Sequence, residues 1–224
     1  MSPQSAPEVR DASTVILLRE MAEGPHVLMG QRGSKAVFMP DKYVFPGGRV
    51  DPEDHDIPLG TPLPAELEAR MNASSPRIAE ALAVAAVREL WEETGLRLGV
   101  PGAPPAVVPD SWGGFLDAGL LPHAGALQMM FRAVTPVGRP RRFDARFFMV
   151  RADEVTGDLD DFSAADDELR HLHWLPLAQA RQLDLPFITR VVLSELAARL
   201  RAPDVPRAVP FFDHSTGSAR FLSL

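Results

Sequence analysis

Arg88-Glu89-Leu90-Trp91-Glu92-Glu93-Thr94-Gly95-Leu96 is the stretch on which the reading of this chain turns. At about 100° per residue, Glu89, Glu92 and Glu93 fall on one stripe of a helix. Like charges at that spacing repel, by ~0.2–0.5 kcal/mol per pair on an exposed helix. Their position near a helix C-terminus adds an unfavourable dipole interaction. Stability alone does not select such a cluster. A solvated acidic face is one account of it. A bound divalent cation is the other, and oxygen-only donors favour Mg²⁺ or Mn²⁺ over zinc or copper.

Outward from this stretch, Ser75-Pro76 reads as an N-cap followed by proline in the first turn, and Gly95 as a helix stop. The predicted helix therefore runs from 76 to 94, with Val84, Val87 and Trp91 on its core face. Upstream, Val15–Leu18 and Val27–Met29 read as a hairpin about Glu23-Gly24-Pro25, and Tyr43–Phe45 as a strand ended by Pro46-Gly47-Gly48. Residues 50–75 carry loop chemistry with a short helix from Pro64 to Met71, and 100–126 give few periodic cues. Strands are expected at 128–134, 145–150 and 173–175, an acidic loop at 152–168, and helices at 177–183 and 187–201. Such alternation points to layered α/β or α+β architecture. Residues 1–12 are expected to be frayed, 13–202 to form a single domain and 203–224 a tail.

Composition removes several classes of answer. The 224 residues contain no cysteine, which excludes disulfides, Cys-ligated metals and thiol catalysis. Thirty acidic against 23 basic side chains give a net charge of -7, which argues against nucleic acid as a partner. No apolar run approaches the roughly 18 residues of a membrane span, and the N-terminal residues lack signal-peptide character, so a cytoplasmic protein with no membrane partner is expected. The 22 prolines are roughly twice the usual share and mark long ordered loops.

The quoted stretch resembles the second half of the Nudix box, R-E-U-x-E-E-x-G-U with U apolar, at every specified position. Phe45-Pro46-Gly47-Gly48 resembles the strand and glycines that open the box, and Glu80 stands where the box's first Glu falls relative to Arg88. The usual box has five residues between its glycine and that Glu. Here residues 49–79 intervene, so about 26 are inserted, taken as 50–75. The flanks Phe38–Asp51 and Arg141–Phe148 resemble a split-box branch that includes peroxisomal coenzyme A and acyl-CoA diphosphatases. The resemblance implies a Nudix α/β/α sandwich around a mixed β-sheet, with an insertion inside the box and C-terminal helices.

It also implies Mg²⁺- or Mn²⁺-dependent hydrolysis of a diphosphate bond in a nucleotide-derived small molecule. Coenzyme A or acyl-CoA is the preferred substrate, and ADP-ribose or a nucleotide sugar the alternative. By the resemblance, Glu89, Glu92, Glu93 and the Gly48 carbonyl are metal ligands, and Arg88 orients the glutamates. Glu80 is a supporting residue, and Glu92, Glu93 and Glu168 are the candidates for general base. Arg139, Arg141, Arg142 and Arg146, with Arg32 and Arg49, are candidate contacts for substrate phosphates, since guanidinium groups bind phosphate bidentately. A catalytically silent nucleotide-binding regulator is the rival class, although such a module has no need to keep three repelling acids together. The insertion and tail could also support a homodimer.

Overall fold

The computed structural model describes residues 7–33, 40–71, 73–216 and 218–224. Phe38 and Met39, at the start of one sequence flank, lie outside them. The strands are β1 (Val9–Met21), β2 (Gly24–Arg32), β3 (Tyr43–Val44), β4 (Gly47–Arg49), β5 (Gly99–Pro101), β6 (Leu120–Pro122), β7 (Gln128–Val134), β8 (Arg142–Arg151), β9 (Leu169–Pro176), β10 (Pro210–Asp213) and β11 (Arg220–Ser223). The helices are α1 (Ala65–Met71), α2 (Pro76–Thr94), α3 (Gly113–Leu116), α4 (Leu177–Ala180) and α5 (Phe187–Arg201).

Among the described residues nine strands form one mixed sheet ordered β11-β10-β7-β8-β1-β2-β3, with β4 also on β1 and β9 on β2. β1 is its axis. It runs antiparallel to β2 and parallel to β8 over ten residue pairs. Its side chains alternate as the two-residue strand period requires. Val15 and Leu17 enter one core with Val84, Val87 and Leu90 of α2. Ile16 and Leu18 enter the other with Val192, Leu193 and Leu196 of α5. Helices thus cover both faces, and the molecule is the expected α/β/α sandwich around a mixed sheet.

α2 has the predicted limits. The Ser75 hydroxyl accepts from the Ile78 amide, Pro76 sits in the first turn, and Gly95 closes the helix at φ 75°. α1 and α5 also lie where the sequence puts them, while α4 is a single turn ending at Ala180. Two expectations are corrected. β1 begins at Val9, because Val9 to Ala12 pair with β8, so the frayed segment expected at 1–12 is too long. The stretch 203–224 is not a detached tail: β10 pairs in parallel with β7, and β11 forms the sheet's edge. Val209 is fully buried there and exchanges both backbone hydrogen bonds with Leu224.

Candidate active site

Two neighbouring pieces of backbone bring the box together. β4 pairs with β1, placing Gly48 opposite Ser13, and the Ser13 hydroxyl donates to the Leu82 carbonyl on α2, 2.6 Å away. This fixes the helix against the two glycines. The Gly47 amide donates to Glu93 Oε2 at 2.7 Å. A Cβ on Gly48 would lie 2.4–2.5 Å from the Glu89 carboxylate, so only glycine permits that approach.

Arg88 is the organising cation, 3% exposed at the sheet side of α2. Its Nη1 donates to Glu89 Oε1 at 2.9 Å and to Glu92 Oε2 at 2.8 Å. Its Nη2 donates to the Arg49 carbonyl at 2.9 Å. The remaining edge of the guanidinium is held bidentately by Asp54, Nε to Oδ1 at 2.8 Å and Nη2 to Oδ2 at 3.0 Å. Asp54 is itself buried, and the Asp51 amide donates to its Oδ2. Burial works against the Arg88 charge, but these carboxylates outweigh it and hold the guanidinium pKa above its ordinary value.

Asp54, which the sequence reading did not single out, takes the place beside Arg88 that was expected for Glu80. Glu80 is exposed in the second turn of α2, and the buried acid that partners Arg88 is Asp54. The signal was available. Residues 49–53 separate Gly48 from Asp54, the five-residue spacing the box prescribes for its first acid. The box is therefore interrupted between Asp54 and Arg88, not directly after Gly48. A short 3₁₀ turn, Pro52–His55, carries Asp54 inward.

The glutamates share a deficit of positive charge. Burial pushes the Glu89 carboxyl up to about 7; Arg88 pulls it back and Glu92 adds to the push. Burial also raises Glu92. Glu93 is raised well above its ordinary value, by full burial and then by Glu89, and its Oε1 has no hydrogen-bond partner among the described residues. Glu168 is half exposed, ion-pairs with Arg32, and is close enough to raise both Glu89 and Glu93. Arg32 partly offsets Glu93 from the same side. The acidic loop also closes on the end of α2, where the Asp166 amide donates to the Glu92 carbonyl.

These groups suit a hard divalent cation chemically. The donors are all oxygens, one buried carboxylate oxygen is orphaned, and the desolvated acids lack compensating charge. Among the described residues the carboxylates do not converge on one point as a ready-made ligand group. Arg88 engages Glu89 and Glu92, while Glu93 turns back to the Gly47 amide.

The arginines separate into two groups. Arg32 and Arg49 flank the site; Arg49 follows Gly48 and pairs with Asp51 at 2.7 Å. The 139–146 set does not gather at the glutamates. Arg142 pairs in register with Val9, four residues along β1 from Ser13, or about 13 Å at 3.3 Å per residue. Its buried guanidinium serves the Thr135 and His214 carbonyls. Arg139 and Arg141 are exposed on the β7–β8 turn. Arg146 is buried in an ion network with Asp11 and Asp144.

The fold and the carboxylate helix together define a protein class, and a family comparison agrees. Residues 9–196 match the NUDIX domain family, so this chain belongs to that family. It is similar to the crystal structure of a NUDIX hydrolase from Alicyclobacillus acidocaldarius, with 29% identity and a TM-score of 0.63 over 85% of this chain and 92% of that one. The NUDIX domain of Shewanella oneidensis NrtR, solved in complex with ADP-ribose, shares the fold at 15% identity and a TM-score of 0.50, over 89% and 94% of the two chains. A Caenorhabditis elegans relative, nudix hydrolase 7 by name, is 28% identical over 158 residues, or 65% of this chain. The match spans 45% of that relative's length. Among the described residues no helix is long and apolar enough to cross a membrane.

Proposed function

We propose that this chain is a divalent-metal-dependent hydrolase of a diphosphate bond in a nucleotide-derived small molecule. The observation that carries the reading is the set Glu89, Glu92 and Glu93, desolvated together, braced by Arg88 and seated on Gly47-Gly48. Glu89, Glu92, Glu93 and the Gly48 carbonyl would hold Mg²⁺ or Mn²⁺. When bound, such an ion neutralises phosphate oxygens and lowers the pKa of coordinated water.

The chain's own groups supply the rest. Arg88 fixes two glutamates by hydrogen bonds, and Asp54 fixes Arg88, so the acids are oriented before substrate arrives. Arg32, drawn to the site edge by Glu168, is placed to meet a substrate phosphate. Glu168, half exposed, can accept a proton from water and release it to solvent. The preference for coenzyme A or acyl-CoA rests on the resemblance of the sequence flanks to the split-box branch. ADP-ribose is the second reading, favoured by its presence on the NrtR domain of the same fold.

The test is hydrolysis of CoA, acetyl-CoA, ADP-ribose, NADH and nucleoside triphosphates with Mg²⁺ or Mn²⁺, and with chelator. At least one diphosphate is expected to turn over. Phosphopantetheine together with adenosine 3′,5′-bisphosphate identifies the CoA branch; ADP-ribose cleavage without CoA cleavage overturns it. Binding of these ligands without turnover of any would replace the enzyme with a nucleotide-binding regulator.

A further inference from the structure

The C-terminal hairpin ends the sheet on a strand with one side unused. β11 pairs with β10 on its inner side, and among the described residues no strand pairs with its outer side. The ladder fixes which groups face out. Val209 and Leu224 exchange both backbone hydrogen bonds. Bonded and non-bonded pairs alternate along an antiparallel ladder, so Leu222 bonds to Phe211 and Arg220 to Asp213. By the same alternation the amides and carbonyls of Ala219, Phe221 and Ser223 point away from β10.

Edge strands of natural proteins usually carry a guard, such as an outward charge, a proline or a bulge. β11, Arg220-Phe221-Leu222-Ser223, has no proline, and its pairing with β10 runs without a register shift. Its one charge, Arg220, is turned inward onto the buried Asp213 carboxylate. Phe221 is left 64% exposed. It stands opposite Phe212, ring to ring at 6.1 Å, and Phe212 in turn lies 6.0 Å from Phe187 at the start of α5. Phe187 is 68% exposed, so at roughly 200 Å² per ring the row leaves roughly 250 Å² of aromatic surface uncovered on the α5 face.

We infer that this edge is a homodimer interface, in which β11 pairs antiparallel with β11 of a second copy across a two-fold axis at Phe221. The strand is its own complement in that register. Phe221 meets its own counterpart and Ala219 meets Ser223, so each outward amide and carbonyl finds a partner. Arg220 falls opposite Leu222, and no like charges face each other across the axis. The Arg220–Asp213 pair also leaves the edge neutral in a chain of net charge -7, so two copies approach without repulsion there. Directly opposite side chains share a face, which joins the two aromatic rows into one strip. A standard interface covers about 800 Å² per partner around a few aromatic anchors. The phenylalanine row supplies those anchors, and an isologous contact uses it twice. β11 lies four strands from β1, about 19 Å at 4.8 Å per strand, so pairing leaves Gly48 and the glutamates open. The inference is independent of the hydrolytic reading.

Sedimentation of the full chain between about 1 and 100 µM is expected to show a monomer–dimer equilibrium. Hydrogen exchange reads the register. The Phe221 and Ser223 amides should gain protection as concentration rises, while the Leu222 amide, bonded to β10, stays protected throughout. Ser223→Pro removes an outward amide and leaves the bonds to β10 in place. It is expected to weaken association at least ~tenfold, with the melting temperature of the dilute chain unchanged. Phe221→Lys sets two like charges at the axis and is expected to abolish the dimer. A monomer at the highest concentration overturns the inference and leaves the edge to a foreign strand. A dimer whose Phe221 and Ser223 amides exchange freely, or one that Ser223→Pro does not weaken, places the contact on another surface and overturns it as well.

Discussion

Asp54 shows how much one buried side chain decides. It comes from the loop chemistry after Gly48, yet it holds the cation that holds Glu89 and Glu92. Asp54→Ala leaves Arg88 buried with one fewer counter-charge, and breaking such a pair costs about 3–5 kcal/mol. Urea unfolding should show that loss as a lower midpoint. The isosteric Asp54→Asn keeps the packing but weakens the orientation of Arg88, and a drop of roughly 10–100-fold in kcat is expected, as for other residues that orient ligands. Glu80→Gln, at an exposed position, should change neither quantity by more than about 0.5 kcal/mol. Glu92→Gln and Glu93→Gln are expected to lower kcat by at least ~100-fold with the melting temperature maintained, since each removes an oxygen anion from the reacting centre. Full rates in both would remove the metal-site assignment.

At the scale of elements, α2 owes its position to both ends. Ser75→Ala removes the hydroxyl that accepts from the Ile78 amide and should cost about 1 kcal/mol, readable by thermal melting. Gly48→Ala acts differently. Its added methyl falls on the Glu89 carboxylate, so activity should be lost with smaller change in stability. The edge strands carry a pH signature. Burial pushes the Asp213 carboxyl up, but hydrogen bonds from Ser215 and the Arg220 guanidinium outweigh it and hold the pKa at about 2. The folded pKa is thus below the unfolded value of 3.8. The stabilisation is therefore complete above pH 4 and lost as pH falls through 2. Because Arg220 is half exposed, the contribution is screened to about 1–2 kcal/mol. Asp213→Asn should lower stability at pH 7 by that amount and make little difference near pH 2.

For the whole molecule, the C-terminal residues are part of the sandwich. Removing 203–224 would strip β10 from β7 and uncover Phe131, which packs edge-on against Phe221, along with the buried Val209 site. The shortened chain should melt lower and bind more of a hydrophobic dye than the full chain, as exposed sheet edges and apolar patches do.

The sequence by itself determined α2, its caps and the stripe of three glutamates. All of these depend on spacings within a few residues, which the helical period converts directly into geometry. It also determined the α/β layering. Two acids stand at box spacing, Asp54 after Gly48 and Glu80 before Arg88, and only the tertiary structure decided between them, because Asp54 and Arg88 are 34 residues apart and meet through a 3₁₀ turn with no periodic signature. It alone placed the Arg142 and Arg146 guanidinium groups in buried networks, since charge patterns do not reveal which strand face is covered. And it alone turned the tail into strands: four-residue segments carry too little local preference to declare themselves, and β7 supplies the hydrogen bonds that fix them.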